Sequence, residues 1–530
     1  MTGVIAAGNP QTALAGAEML RQGGNAADAA VAAAFASFIA EIGVVHLGGS
    51  GLGQVYDPAR GESTVYDFFS AMPGLGRTEP PARLDFEAVE IDYGATTQRF
   101  YLGRGSVAVP GNIAGLCRLA ADYGRLPLAT LLRPAISLAK GGALLDRFQA
   151  DTCELLRPLY THTESIRTIF APQGEMIRAG ERVAIPHLDE TLTALAEEGE
   201  ALARHGPLAQ ALLADQEQNG GLLTPADLEA YAVYRLPPLR VAYRDFEILL
   251  PPPTSTGGVL TAFSLLLLAH FPVATLQPND ADHLRLLYEV MAATARARAT
   301  WEELAGTGDS ASAVAAFLDA RFVESHVEAV RRALAQGRAS LPVAEPPGPA
   351  NTSHLSVIDG EGMAVALTTT AGESAGYVVP GTGMIPNNIL GEEDLNPRGF
   401  HRWPAGARIP TMMTPTIVLR DGTIRLVTGS GGSNRIRSAI LQTLSNVLDF
   451  DLPLEAAVGA PRVHLENRVL QCEAGYDPAA VAAVEAAGYP VNRWKARSIY
   501  FGGAHSVGAT PAGLVAAGDD RRGGAAATVS

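Results

Sequence analysis

The chain has 530 residues, 47% of them hydrophobic and 18% charged, with a formal net charge of −15. This composition suits a globular protein and excludes wholesale disorder. The acidic balance argues against a nucleic-acid or anionic-membrane partner, and its excess of carboxylates reads as solvated surface.

Met1 to Gly8 lacks a basic region followed by a long apolar core, so it does not read as a secretory signal. Pro10 to Gln22 has helical spacing and stops at Gly23-Gly24. Asn25 opens a second helix through Ile42, apolar all round, which suits a buried internal helix. Gly48-Gly49-Ser50-Gly51-Leu52-Gly53 precedes a strand at Gln54 to Tyr56 and does not match GxGxxG, so it predicts close backbone approach and not a phosphate cradle. Thr64 to Phe69 is a further strand. A turn at Gly105 to Ala114 leads into a helix through Tyr123, and a helix from Leu126 to Phe148 is broken by Pro134. Thr224-Pro225-Ala226-Asp227 is a helix start with its cap, its proline and its acid in place. Val241 to Leu250 predicts one strand, followed by Pro251 to Gly258, the apolar helix Val259 to His270 and the long helix Asp282 to Ala305.

Ala335 to Ala350, rich in proline, predicts an exposed extended segment. After it come short β-type runs at Leu355–Ile358, Ala364–Thr370, Thr416–Leu419 and Ile424–Val427, interleaved with helices at Ile436–Asp449 and Pro478–Ala487. Strands and helices in this order suggest two sheets layered between helices. The strongest internal boundary falls at 351/352. The apolar stretches Ala29–Ala40 and Val259–Phe271 are too short to span a bilayer, so a soluble, cytoplasmic protein without a membrane partner is expected. Cys117, Cys153 and Cys472 form no CxxC pair and read as buried thiols. The eleven histidines show no HExxH motif, and neither a metal nor another cofactor is expected.

Chemistry concentrates at Asn351-Thr352-Ser353-His354. A threonine hydroxyl is a weak nucleophile and needs a base. If the bond before Thr352 is cut, the new α-amine lies on the same residue and titrates near about 7.7–8.0, close to the optimum for a general base. The same hydroxyl can make the cut by attacking the Asn351 carbonyl. The plain alternative is that Thr352 only starts a strand. Thr370, closing the next strand, is placed to lie beside Thr352, although β propensity alone explains threonines there. Thr428-Gly429-Ser430-Gly431-Gly432-Ser433-Asn434-Arg435 joins a strand to a helix, where backbone N–H groups can hold an oxyanion; an ordinary glycine turn is the other reading.

The chain resembles the γ-glutamyltranspeptidase family of Ntn hydrolases over nearly its whole length. The resemblance is carried by Gly23 to Ala30, Gly48 to Gly53, Asn219 to Thr224 with Asp227-Leu228, Pro251 to Gly258, Thr352 to Val357, Pro386-Asn387-Asn388, Thr414 to Val418 and Gly429 to Arg435. It implies an α/β fold of four αββα layers, formed jointly by a large segment 1–351 and a small segment 352–530 of one self-cleaved precursor, with Asn351-Thr352 as the processing site. It also implies Thr352 as nucleophile, Thr370 as its assistant, and Gly431 and Gly432 as the oxyanion glycines. Where the family holds the glutamyl α-carboxylate with an arginine, this chain has Phe69, which cannot make a bidentate contact. The family's serine pair becomes Thr411-Met412, and the asparagine after the assisting threonine becomes Gly372. Asn388 and Glu392 keep part of the run that grips the α-amine, with Ile389 in place of a polar partner. Arg408 or Arg435 is the expected substitute for the missing positive charge, and a structural role is expected for His354.

The resemblance therefore implies a γ-glutamyltransferase-like enzyme that cleaves or transfers a γ-glutamyl-type amide to water or an amine acceptor. A cephalosporin-acylase-like amidase with another acyl group is the alternative, and a non-catalytic relative is the third reading.

Overall fold

Alternation in the β-type runs is resolved into two sheets in a computed structural model, which describes residues 3–79, 81–92, 97–306, 308–340 and 351–530. Their strands, in chain order, are β1 (Gly3–Ala7), β2 (Ser50–Asp57), β3 (Glu62–Phe68), β4 (Tyr234–Leu236), β5 (Leu239–Tyr243), β6 (Phe246–Leu250) and β7 (Asn351–Asp359). They continue with β8 (Ala364–Gly372), β9 (Thr416–Arg420), β10 (Thr423–Thr428), β11 (Ser506–Thr510), β12 (Gly513–Ala517) and β13 (Ala525–Val529). One sheet runs β13-β1-β7-β8-β2-β3-β4 and the other β12-β11-β10-β9-β6-β5.

Period-2 alternation sorts each strand between two apolar layers. Val4, Ala6, Ile358, Ala364 and Ala366 of the first sheet pack with Leu249, Ile417, Leu419 and Val427 of the second. Ile5, Val357, Val365 and Leu367 point the other way, into helices α1 (Pro10–Arg21) and α2 (Ala26–Ala40). The second sheet's outer face, with Ile248, Val418 and Leu426, is covered by α3 (Thr256–Ala269), α4 (Ala281–Ala305) and α5 (Arg435–Leu448). The result is the four-layer αββα sandwich that the resemblance implies.

Every residue of α2 is buried, as its all-round apolarity predicts. Its start is fixed by a capping box in which Asn25 and Asp28 satisfy each other's backbone N–H groups. Thr224 and Asp227 form the same device at Pro225–Ala230. Two expectations are corrected. Val241 to Leu250 is a hairpin and not one strand, because Arg244 turns the chain at φ 55° between β5 and β6. Pro134 does not break its helix, which runs unbroken over Leu128–Gly141 with the proline inside. Of the expected extended segment 335–350, residues 341–350 lie outside the described residues, and Gln336 ends a helix begun at Ala320. Among the described residues no helix is long and apolar enough to cross a membrane. The three cysteines are free, with Cys153 and Cys472 buried and Cys117 partly so.

Candidate active site

The first sheet's central pair, β7 and β8, brings the sequence candidates together. Thr352 pairs with Thr370, His354 with Thr368 and Ser356 with Ala366. Alternation puts Thr352, His354, Ser356 and Ile358 on the face toward the second sheet. The register shifts between Asn351 and Thr352: Asn351 pairs with Gly372, so Ala371 is the extra residue of a bulge. Bulges re-aim the backbone, and here the result is visible. The Thr370 hydroxyl donates to the Asn351 carbonyl oxygen at 2.6 Å and accepts from the Gly372 N–H at 3.1 Å. Thr370 thus touches the carbonyl of the bond before Thr352, in addition to lying opposite Thr352 itself.

Across the gap, the turn after β10 closes over the Thr352 backbone. A Cβ on Gly431 would lie 2.0 Å from the Thr352 carbonyl oxygen, so no larger residue fits. Gly432 follows at φ 118°, a conformation that favours glycine. Ser433 donates to the buried Asp394 carboxylate, and Arg522 donates to the Thr352 carbonyl at 3.3 Å. His354 is enclosed by the hydroxyls of Thr368 at 2.8 Å and Ser356 at 2.9 Å. Burial, and His505 nearby, hold its imidazole well below the usual range. Both ring nitrogens are thus engaged within the strand pair, in keeping with the structural role expected of it.

Three buried acids surround the Asn351-Thr352 junction. Glu373 accepts from the Asn351 backbone N–H at 3.2 Å and from its side-chain amide at 2.7 Å. Burial pushes its carboxyl up to about 8, against the pull of Arg522 and the Asn351 donors. Glu41 accepts from Ser353 and, at 2.7 Å, from Thr12, and burial raises it to about 7. Glu392 is fully buried, and among the described residues neither of its carboxylate oxygens has a hydrogen-bond partner. Burial, Asp394 and Glu373 raise it well above the ordinary carboxylate range. Gly372 leaves the space above it: a Cβ there would meet the Glu392 carboxylate at 2.1 Å and the Asn388 side-chain oxygen at 2.4 Å. Asn388 in turn accepts from the Glu373 N–H at 2.7 Å and from Ser374 at 3.3 Å.

The remaining candidates fall elsewhere. Phe69 is fully buried in the same apolar cluster as Ile389, Leu390, Ile409 and Met412. Arg408, the expected substitute positive charge, lines the same cavity as Thr411 and Met412 and already has several partners. Its guanidinium pairs with Asp67 at 3.5 Å, donates to the carbonyls of Phe69 and Ala232, and stacks on Tyr231 and Tyr234. These partners tie the guanidinium to the end of β3. Arg435 pairs with Glu466 at 3.8 Å and lies over Tyr500. The Thr411 hydroxyl accepts from the Met413 N–H at 3.2 Å. Thr411, Met412 and Asp394 line a cavity of about 570 Å³ with Trp301, Trp403 and Arg398, and Asp394 links it to the glycine turn.

Sequence reasoning passed over Glu373, Glu41 and Arg522. An acid inside an apolar or small-residue run, as in Ile39-Ala40-Glu41-Ile42 or Ala371-Gly372-Glu373-Ser374, was the available signal for the first two. Arg522 sits in a charge run that reads as solvated, yet it is 4% exposed.

A four-layer sandwich carrying a strand-opening threonine against a glycine turn defines an Ntn hydrolase. The family model described as Gamma-glutamyltranspeptidase matches residues 12–529. The Acylase ACY 1 proenzyme of Pseudomonas sp. (strain SE83) is 32% identical over 93% of this chain and 87% of its own length. The Glutathione hydrolase proenzyme of Escherichia coli (strain K12) is 28% identical over 92% of this chain and 86% of its own. The crystal structure of cephalosporin acylase from Bacillus halodurans superposes with a TM-score of 0.83 at 23% identity, covering 99% of this chain and 95% of that one, a likeness of fold. The chain belongs to the gamma-glutamyltranspeptidase family and is an enzyme of that family.

Proposed function

We propose that the protein is a self-processing amide hydrolase whose nucleophile is Thr352, released by cleavage of the Asn351–Thr352 bond into segments 1–351 and 352–530. The observation that carries this reading is the 2.6 Å hydrogen bond from Thr370 to the Asn351 carbonyl oxygen. It polarises the one carbonyl that the Thr352 hydroxyl has to attack. In the cut, Thr352 Oγ bonds to the Asn351 carbonyl carbon and its proton passes to the departing amide nitrogen. Water then hydrolyses the ester, which leaves a carboxylate on Asn351 and a free hydroxyl and α-amine on Thr352. In turnover the α-amine takes the hydroxyl proton as Oγ attacks a substrate amide, and returns it to the leaving amine. Water or an amine acceptor then takes the acyl group. Gly431, set against the Thr352 carbonyl, and Gly432 next to it in the turn would supply the backbone N–H groups for the oxyanion.

Two acyl groups are supported by different observations. The buried, unpartnered Glu392 carboxylate beneath Gly372 suits the α-ammonium of a γ-glutamyl group. Phe69 in the core stands where the family's carboxylate-binding arginine would be, Met412 replaces a serine on the cavity wall, and Arg408 on the same wall is paired with Asp67, which favours an acylase-type substrate. Losing a charge-assisted contact costs about 1.5–3 kcal/mol, one to two decades of affinity. The loss of the arginine at position 69 is the larger effect, so the non-glutamyl acyl group is the better fit.

Purified protein should resolve on a denaturing gel into two pieces, the smaller beginning at Thr352, while Thr352→Ala stays whole. A wild-type chain that remains one band refutes the processing. Release from γ-glutamyl, glutaryl and simple acyl anilides then separates the substrates, and a clear γ-glutamyl preference overturns the acylase choice.

A further inference from the structure

We infer that Glu373 is a positioning residue for self-cleavage, a clamp that selects the bond to be cut by gripping Asn351 from both sides. This rests on the reading of Asn351–Thr352 as the scissile bond.

Both oxygens of the Glu373 carboxylate are used on one residue: one accepts the Asn351 backbone N–H at 3.2 Å, the other its side-chain amide at 2.7 Å. The Asn351 amide also donates to the Gly43 carbonyl at 3.3 Å. The clamp is itself anchored, because the Glu373 backbone N–H donates to Asn388 at 2.7 Å and Asn388 donates to the Tyr101 carbonyl at 3.4 Å. Everything here is buried: Glu373 is 1% exposed and Asn351 6%. Buried polar oxygens are costly unless they are hydrogen-bonded, so this pairing is strongly specified.

Its consequence lies one atom group along the chain. Fixing the N–H and side chain of Asn351 fixes its carbonyl, and the bulge at Ala371 turns that carbonyl onto the Thr370 hydroxyl. Without the clamp, Asn351 can relax into the ordinary register, in which the strand runs straight and the carbonyl leaves Thr370. Glu373 touches neither the attacking oxygen nor the bond that breaks; it acts through Asn351. Its carboxylate faces the charges of Arg522, Arg435 and Glu392, none of which replaces the two donors of Asn351.

The test is a donor–acceptor swap in the full-length precursor, reading the rate at which one band becomes two. Glu373→Gln turns one acceptor into a donor facing the Asn351 amide, and Asn351→Asp removes that amide donor and sets acid against acid. Each single variant should cleave about tenfold or more slowly. The double variant Asn351→Asp with Glu373→Gln restores the side-chain hydrogen bond with its roles reversed and keeps an amide oxygen for the backbone N–H, and should cleave within about threefold of wild type. A merely structural contribution of either residue gives no such rescue. Single variants that cleave at the wild-type rate overturn the inference, and so does a double variant as slow as the product of the singles. If a single variant fails to fold, the double variant alone decides. Cleavage persisting in Thr352→Ala sinks the underlying reading instead, so the two failures are distinct.

Discussion

Replacing Thr370 by valine removes one oxygen and almost no volume, at a position where the hydroxyl has two jobs. It donates to the Asn351 carbonyl at 2.6 Å and accepts from the Gly372 N–H at 3.1 Å. The first bond strengthens as the carbonyl becomes an oxyanion under attack, because hydrogen bonds to charged groups are worth about 1.5–3 kcal/mol against about 1 for neutral ones. Only interactions stronger in the transition state than in the ground state change the rate. The difference, about 0.5–2 kcal/mol, converts to about 2- to 30-fold slower cleavage. Leaving the buried Gly372 N–H unpaired loosens the bulge as well, so the upper end of that range is expected. Thr370→Ser keeps both bonds and should cleave close to the wild-type rate. The assay is a time course of purified precursor on denaturing gels, with the new N-terminus sequenced. Thr370→Val cleaving as fast as Thr370→Ser would refute the claim that this hydroxyl polarises the scissile carbonyl.

Two further predictions follow from the same walls. Gly431→Ala places a methyl 2.0 Å from the Thr352 carbonyl oxygen and 2.9 Å from its carbon. Backbone cannot rotate away, so the turn and β7 must separate; anilide hydrolysis should fall by about 10²-fold or more, as when an oxyanion donor is lost, and an unchanged rate would show that the turn is not part of the site. Burial raises the Glu41 carboxyl from 4.5 to about 7, so the folded state binds a proton that the unfolded chain has already released. Its contribution is fully present below about pH 4.5 and is lost as pH rises through 7, about 3 kcal/mol in all. In chemical unfolding, the Thr352→Ala precursor should lose stability relative to the same precursor carrying Glu41→Gln as pH rises from 5 to 8, the difference between the two proteins isolating this one carboxyl from the other buried titrating groups; an identical pH dependence in the two proteins would refute it.

Local chemistry made much of this molecule readable in advance. Asn25 with Asp28, and Thr224 with Asp227, announce helix starts because a capping box satisfies backbone groups within four residues. The β7–β8 hairpin was legible for the same reason, since Thr352 and Thr370 are joined by a short connection and share a face by parity. The hairpin at Arg244 was not, because its left-handed residue is neither glycine nor asparagine. Nor did the chain order reveal the partners of Arg408, which come from β3, from Ala232 and from two tyrosines more than 170 residues before it. Long-range pairing decides whether a cation is available to a ligand, and spacing carries no trace of it. The run Asp519-Asp520-Arg521-Arg522 makes the same point: it reads as solvated charge, yet Arg521 is fully buried between Glu473 and Asp519.

That buried ion network bears on how one site serves two reactions. Asp519 is held well below the usual carboxylate range by Arg462 and Arg521, and three residues on, Arg522 reaches the Thr352 carbonyl. A rigid charged scaffold therefore fixes the carbonyl side of Thr352, the side that stays after cleavage. The amino side is held differently, by Glu373 through Asn351, a residue that the cut releases. Under the proposed function, the precursor needs both grips and the mature enzyme only the first. Once Asn351 is free to leave, Glu373 and Glu392 remain as neighbouring buried acids beside the new α-amine. The Thr352 α-amine has to stay neutral to act as the base, so an ammonium on a bound acyl group is what such a pair would lack, and the anilide comparison tests whether one is bound there.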